Sequence, residues 1–220
     1  MPVDSTRVFL RPIANPFALG FVGLAGSSVT VAGLEVGWVG ASQQHQVGLI
    51  VLVFGAGLQA IGCVFGFLAR DAVAATGLGL LAGTWASIGL VLLTTPPGST
   101  SGALGTLLLF AATACLIAVS LAAQRMLVPA LVLLATAARY LITGIYELGG
   151  GSGWTSAAGY AGLVLGFLAL YGAASLELED ERHRPVLPTL RHGRGRDALD
   201  PSLPKQVQEV AAEAGVRQQL

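Results

Sequence analysis

Residues 47–94 read VGLIVLVFGAGLQAIGCVFGFLA, then Arg70-Asp71, then AVAATGLGLLAGTWASIGLVLLT. Each uncharged run is long enough to cross the hydrocarbon core of a bilayer as a helix, which takes about 20 apolar residues. The charged pair between them leaves room only for a tight turn. Four more runs of this kind, at about 16–36, 102–122, 126–147 and 156–176, bring the number of expected spans to six. Hydrophobicity within the runs is continuous rather than alternating. That excludes a β-barrel and leaves helices, which satisfy their own backbone hydrogen bonds in lipid. The expected fold is therefore an all-α integral membrane bundle of six transmembrane helices.

The charges agree with that reading. Only 11% of the 220 residues are charged, and eleven of the twelve Lys and Arg lie outside the runs. Arg7 and Arg11 precede the first run, Arg70 and Arg125 sit on the second-to-third and fourth-to-fifth connections, and seven follow the last run. The intervening connections, 37–46, 95–101 and 148–155, carry none. By the positive-inside rule both termini are cytoplasmic, as an even number of spans requires. Residues 1–15 form a cytoplasmic segment, 16–177 the membrane domain, and 178–220 a charged, largely flexible cytoplasmic tail in which 202–219 can form a short helix. The expected location is the plasma (cell inner) membrane, and nothing in the neutral charge balance points to nucleic acid.

Chemistry-bearing patterns are sparse. Cys63 and Cys115 lie singly in apolar runs, so neither a metal site nor a disulfide is expected, and both read as packing residues. No phosphate-binding loop, metalloprotease helix or catalytic triad is present, so enzymatic activity and cofactors are not expected. His45, His183 and His192 all fall outside the runs.

Arg139 is the exception among the basic residues. It lies 13 residues into the fifth run, roughly 20 Å from that helix's cytoplasmic end in a core about 30 Å thick, where charge is costly. Thr136, Arg139, Thr143 and Tyr146 recur every three or four residues, so one side of this helix is polar. Two readings stand side by side. Arg139 supplies positive potential to an anionic solute, or it has a structural role, as a partner of Glu35 or Glu147 or by snorkelling outward. Gln59 and Trp85 are likewise either interhelical hydrogen-bonding groups or lining of a path. Glycines four apart, Gly33/Gly37, Gly62/Gly66, Gly79/Gly83 and Gly162/Gly166, favour close helix approach.

Asn15-Pro16-Phe17-Ala18-Leu19-Gly20, at the entrance to the first run, resembles the Asn-Pro-Ala-Pro-Leu-Gly signature of the acetate uptake transporter (succinate-acetate permease) family. Phe54-Gly55-Ala56 with Gln59, Trp85, and the ending from Ala161-Gly162 through Tyr171 to Val186-Leu187-Pro188 are similar to further motifs of that family. The resemblance implies a six-helix protomer, usually in a hexamer, that moves small carboxylates through a constriction formed by the first, third and fifth helices. Carried over by local register, the constriction falls on Leu24, Leu81 and Leu134, with Asn15, Gln59 and Trp85 on the matching motifs as further pore or substrate-binding candidates; Arg139 falls on none of those motifs and is a candidate through its charge and depth alone. Leucine replaces the aromatic residues expected at the first two positions, and Ala18 replaces the second proline of the signature. The partners expected are a small carboxylate, the lipid bilayer and further copies of the chain. A contrasting expectation is a non-transporting scaffold or sensor subunit that binds a cytosolic partner through its tail.

Overall fold

The computed structural model describes residues 13–182 and 184–192. Six helices are long and apolar enough to cross a membrane: α1 (Pro16–Glu35), α2 (Ala41–Leu68), α3 (Ala72–Thr94), α4 (Gly102–Ala122), α5 (Leu127–Glu147) and α6 (Ser152–Arg182). The short helix expected at 202–219 lies outside the described residues.

Helix starts follow from their caps. Asn15 Oδ1 accepts from Phe17 N at 3.0 Å, with Pro16 occupying a first-turn position where its missing N–H costs nothing. Asp71 accepts from both Val73 N and Ala74 N at 3.0 Å, and Ser101 caps α4 through Leu104 N. Met126 precedes α5 and makes no side-chain cap. The first N–H groups of that helix are satisfied from elsewhere in the chain, as described below.

Helices adjacent in sequence pack together, and α6 closes the set against α1. Small residues set the closeness. Gly159, Gly162 and Gly166 lay α6 on α1, where a Cβ would meet Val36, Ala32 and Val29 respectively. Gly48 and Gly89 face each other's carbonyl oxygens between α2 and α3, and Gly105 and Gly144 do the same between α4 and α5. Of the pairs expected from sequence, Gly62/Gly66 and Gly162/Gly166 lie at such contacts. Gly83 and Gly37 do not, because nothing lies within 4 Å of a Cβ at either position and Gly37 belongs to the turn after α1.

Three elements differ from expectation. α2 begins at Ala41 instead of 47, opening with a 3₁₀ turn (Ala41–Gln43), so Gln44 and His45 belong to a helix and not a loop. Its middle, Val51–Ala56, is a π-helix containing Phe54-Gly55-Ala56. That wide turn rests on α1, where Phe54 covers Gly26 and a Cβ on Gly55 would stand 2.0 Å from Ser27 Oγ.

The third difference concerns the tail. α6 continues through the acidic run to Arg182, and residues 184–192 fold back as a strap over the start of α5. Thr189 O and Leu190 O accept from Val128 N and Leu127 N, while His192 N donates to Arg125 O. The strap thus performs the capping that Met126 cannot. Tyr171 donates to Pro188 O at 3.0 Å, and buried Glu179 accepts from Thr189 Oγ1 at 3.0 Å and from Arg191 Nε at 2.8 Å. Residues 178–182 thus continue α6, and 184–192 are held against α5. A run of acids reads as solvated until Thr189 and Arg191 are seen to return to Glu179.

Candidate functional site

A half-open vestibule of about 150 Å³ occupies the end of the bundle formed by the C-terminus of α1, the starts of α2, α4 and α6, and the later halves of α3 and α5. Its polar lining includes Glu35, Gln44, Arg139, Tyr140, Thr143 and Glu147, with Trp85 and Ile88 among the apolar groups. One water needs about 10–15 Å³ of such space, so the vestibule is large enough for a small hydrated solute. Gln44 fixes the rim. Its Nε2 donates to Leu92 O at 3.2 Å and Thr95 O at 3.1 Å, and its Oε1 accepts from Gly98 N at 3.0 Å, which holds the Pro96-Pro97-Gly98 turn over α2.

Arg139 is 2% exposed. Its Nη2 donates to Glu35 Oε2 at 2.6 Å, joining α5 to α1. The side chain crosses α6 where that helix carries Gly162, at which a Cβ would lie 3.2 Å from Arg139 Nε. The guanidinium reaches Glu35 because that position has no side chain. Nη1 is buried and makes no hydrogen bond to the described residues. Both readings of Arg139 thus have physical content. It pairs with Glu35, and it lines the cavity with a second donor left buried and unused. Glu147, the other proposed partner, instead accepts from Ser101 N at 2.6 Å and ties the end of α5 to the start of α4.

Below the vestibule the bundle is closed. Trp85 and Tyr140 meet with ring centroids 6.5 Å apart and planes at 65°, linking α3 to α5. Phe21 and Leu24 from α1, Leu78 and Leu81 from α3 and Leu133 from α5 belong to the same core, each at most 1% exposed. At the opposite end a dimple of about 10 Å³ is lined by Phe17, Asp71, Val73, Ala122, Arg125, Met126 and Pro129. The polar exceptions in this interior are Ser27, Ser28, Gln59, Trp85 and Tyr140, whose side-chain polar atoms are buried without hydrogen-bond partners among the described residues. Such groups are costly in an apolar interior, and they can exchange hydrogen bonds with a solute that has shed water.

The expected site residues separate on this geometry. Leu24, Leu81, Gln59 and Trp85 lie in the interior and Arg139 in the vestibule. Leu134 does not join them. It is 46% exposed on the perimeter of the bundle, while its neighbour Leu133 is fully buried. A single residue turns the side chain by about 100° around a helix of 3.6 residues per turn, so a register error of one exchanges interior for perimeter. Asn15 is a helix cap beside a separate groove of about 330 Å³, which it shares with Leu19, Gly62 and Phe65. Sequence reading passed over Tyr140 and Gln44. Tyr140 stands four residues after Thr136 on the polar stripe, so its signal was available, whereas Gln44 was hidden by the placement of 37–46 in a loop.

No family profile and no curated relative matches this sequence. A solved structure, that of the bacterial acetate channel SatP, superposes on the chain with a TM-score of 0.72 at 20% sequence identity. The match covers 81% of this chain and 99% of that one. The chain therefore has the six-helix fold of that channel.

Proposed function

We propose that the protein carries small carboxylates of the acetate and succinate class across a membrane, as a channel or a proton-linked carrier rather than an enzyme. The observation that carries this reading is Arg139. Arg139 lines a vestibule that ends on an apolar plug and keeps a buried, unpartnered Nη1, in a bundle with the fold of an acetate channel. A carboxylate entering the vestibule exchanges water for a guanidinium N–H, a charge-assisted bond stronger than a neutral one. Passage beyond it requires Trp85, Leu24, Leu81 and Leu133 to part, because an unpaired anion in closed hydrocarbon is prohibitively costly.

In this reading the strap end faces the cytosol of a cell whose inner membrane holds the protein. Arg70, Arg125, Arg182, Arg184 and Arg191 all belong to that end, and the loops of the vestibule end carry no Lys or Arg. Protomers assemble as hexamers, each with its own path. Uptake of labelled acetate, propionate and succinate into proteoliposomes tests the proposal, with uptake above that of empty liposomes expected. Equal uptake in both at every pH from acid to neutral would reject it.

A further inference from the structure

The vestibule is built around one cation and two anions. Arg139 is flanked by Glu35 at hydrogen-bond distance, and Glu147 lines the same cavity, so the formal charge of the three is minus one. A plain monocarboxylate raises the negative excess to two, and a dicarboxylate to three. A cavity shaped only for anions has no use for Glu35 on the one guanidinium it contains.

The ion pair is only half used on each side. Arg139 engages Glu35 through Nη2 and leaves Nη1 buried without a partner. Glu35 engages Arg139 through Oε2, and its Oε1 accepts no hydrogen bond from the described residues. One pair therefore carries both an unpartnered donor, which is buried, and an acceptor with no hydrogen bond from the described residues. The other groups lining this region, Thr143, Tyr140, Tyr146 and Thr155, add no further positive charge. Trp85 adds a second unpartnered donor at the floor, and its ring and that of Tyr140 limit the depth available.

We propose that the vestibule binds a small α-amino acid as its zwitterion, in preference to the plain carboxylate of the same size. The ligand carboxylate accepts from Arg139 Nη1 and the ligand ammonium donates to Glu35 Oε1, closing a ring of four alternating charges. The net charge of the site is unchanged on binding, whereas an anion adds to its negative excess. The about 150 Å³ available admits glycine or alanine. The inference narrows the substrate class of the carboxylate reading and depends on it only in sharing Arg139.

The test is equilibrium displacement of labelled glycine from the purified full chain in detergent. Glycine should displace the label at a concentration about tenfold lower than acetate does, a difference of about 1.4 kcal/mol. N-acetylglycine, which lacks the ammonium, and glycinamide, which lacks the carboxylate, should compete no better than acetate. Glu35→Gln should bring the ratio between glycine and acetate close to one. Failure of labelled glycine to bind, parity of glycine with acetate, or full competition by N-acetylglycine overturns the proposal. So does an E35Q protein that elutes and melts as a folded protein yet keeps the preference. If E35Q does not fold, the analogue series on the unaltered chain decides alone. Carboxylate flux in proteoliposomes is read separately, so transport without glycine preference rejects only this inference. Glycine preference without any flux rejects only the transport reading.

Discussion

The two ends of the bundle each hold a buried Glu–Arg pair, and the pairs are built to different degrees of completion. At the strap end Glu179 accepts from Arg191 through Nε and Nη2 and from the Thr189 hydroxyl, in a segment whose backbone also bonds to the start of α5. At the vestibule end Glu35 receives a single bond from Arg139, Nη1 of that arginine is buried and unpartnered, and both residues line about 150 Å³ of open space. A pair with its hydrogen-bonding capacity filled fastens one segment to another. A pair left half-filled in a cavity is poorly explained by stability alone, since buried ion pairs often contribute little beyond their desolvation cost.

Removing the arginine of each pair separates these roles most sharply. Arg139→Ala leaves Glu35 buried and unpaired, with an expected loss of about 3–5 kcal/mol and of carboxylate uptake. Arg191→Ala should also destabilise, because Glu179 is left with Thr189 alone, but the folded fraction should retain uptake. Melting in detergent and uptake per folded molecule read the two effects independently. Equal losses of uptake in both variants would mean that the vestibule pair is no more than a second fastener. Arg139→Lys refines the result. It keeps the charge beside Glu35 and removes the planar second donor, so folding should recover further than uptake.

A smaller effect is expected at the glycine beneath the guanidinium. A Cβ at Gly162 would stand 3.0 Å from Ala32 Cβ, 3.3 Å from Ser28 O and 3.2 Å from Arg139 Nε. Gly162→Ala should cost about 1–3 kcal/mol through overpacking and reduce uptake by displacing Arg139. Gly83, with nothing within 4 Å of its Cβ position, serves as the comparison. Gly83→Ala in the middle of α3 should be neutral or stabilising by up to about 1 kcal/mol. The paired melting curves test whether close approach at Gly162, rather than the loss of any membrane glycine, is what matters.

What could be read from the residues follows from how local the signal is. Helix existence depends on long uncharged runs, and the six spans appear where the runs are. Asn15-Pro16 and Asp71 are caps whose partners lie within three residues, so the starts of α1 and α3 were equally legible. The Arg139–Glu35 pair joins residues 104 positions apart. Sequence could name both ends but could not choose between Glu35 and Glu147. The fold-back of 184–192 was hidden for the same reason, because an acidic run reads as solvated until Thr189 and Arg191 return to it. The π-helix at Val51–Ala56 carries no periodic signature, since it depends on the face of α1 that Gly26 and Ser27 offer to Phe54 and Gly55.

The smallest expected effect is at Leu134, and it bears on where the plug lies. A local register carried across a turn holds no information about the phase of the helix that follows it. Leu133, fully buried, shares the core with Leu24 and Leu81, while Leu134 is 46% exposed. Leu133→Ala removes a side chain packed on all sides and should cost about 2–5 kcal/mol, with altered solute selectivity as the plug loosens. Leu134→Ala should stay within about 0.5 kcal/mol of the unaltered protein and leave uptake unchanged. Lost or altered uptake in L134A beside normal L133A would return the constriction to 134 and require α5 to turn by about 100° in the conducting state. A change in elution size confined to L134A would instead place this face of α5 between protomers, leaving the plug with Leu133.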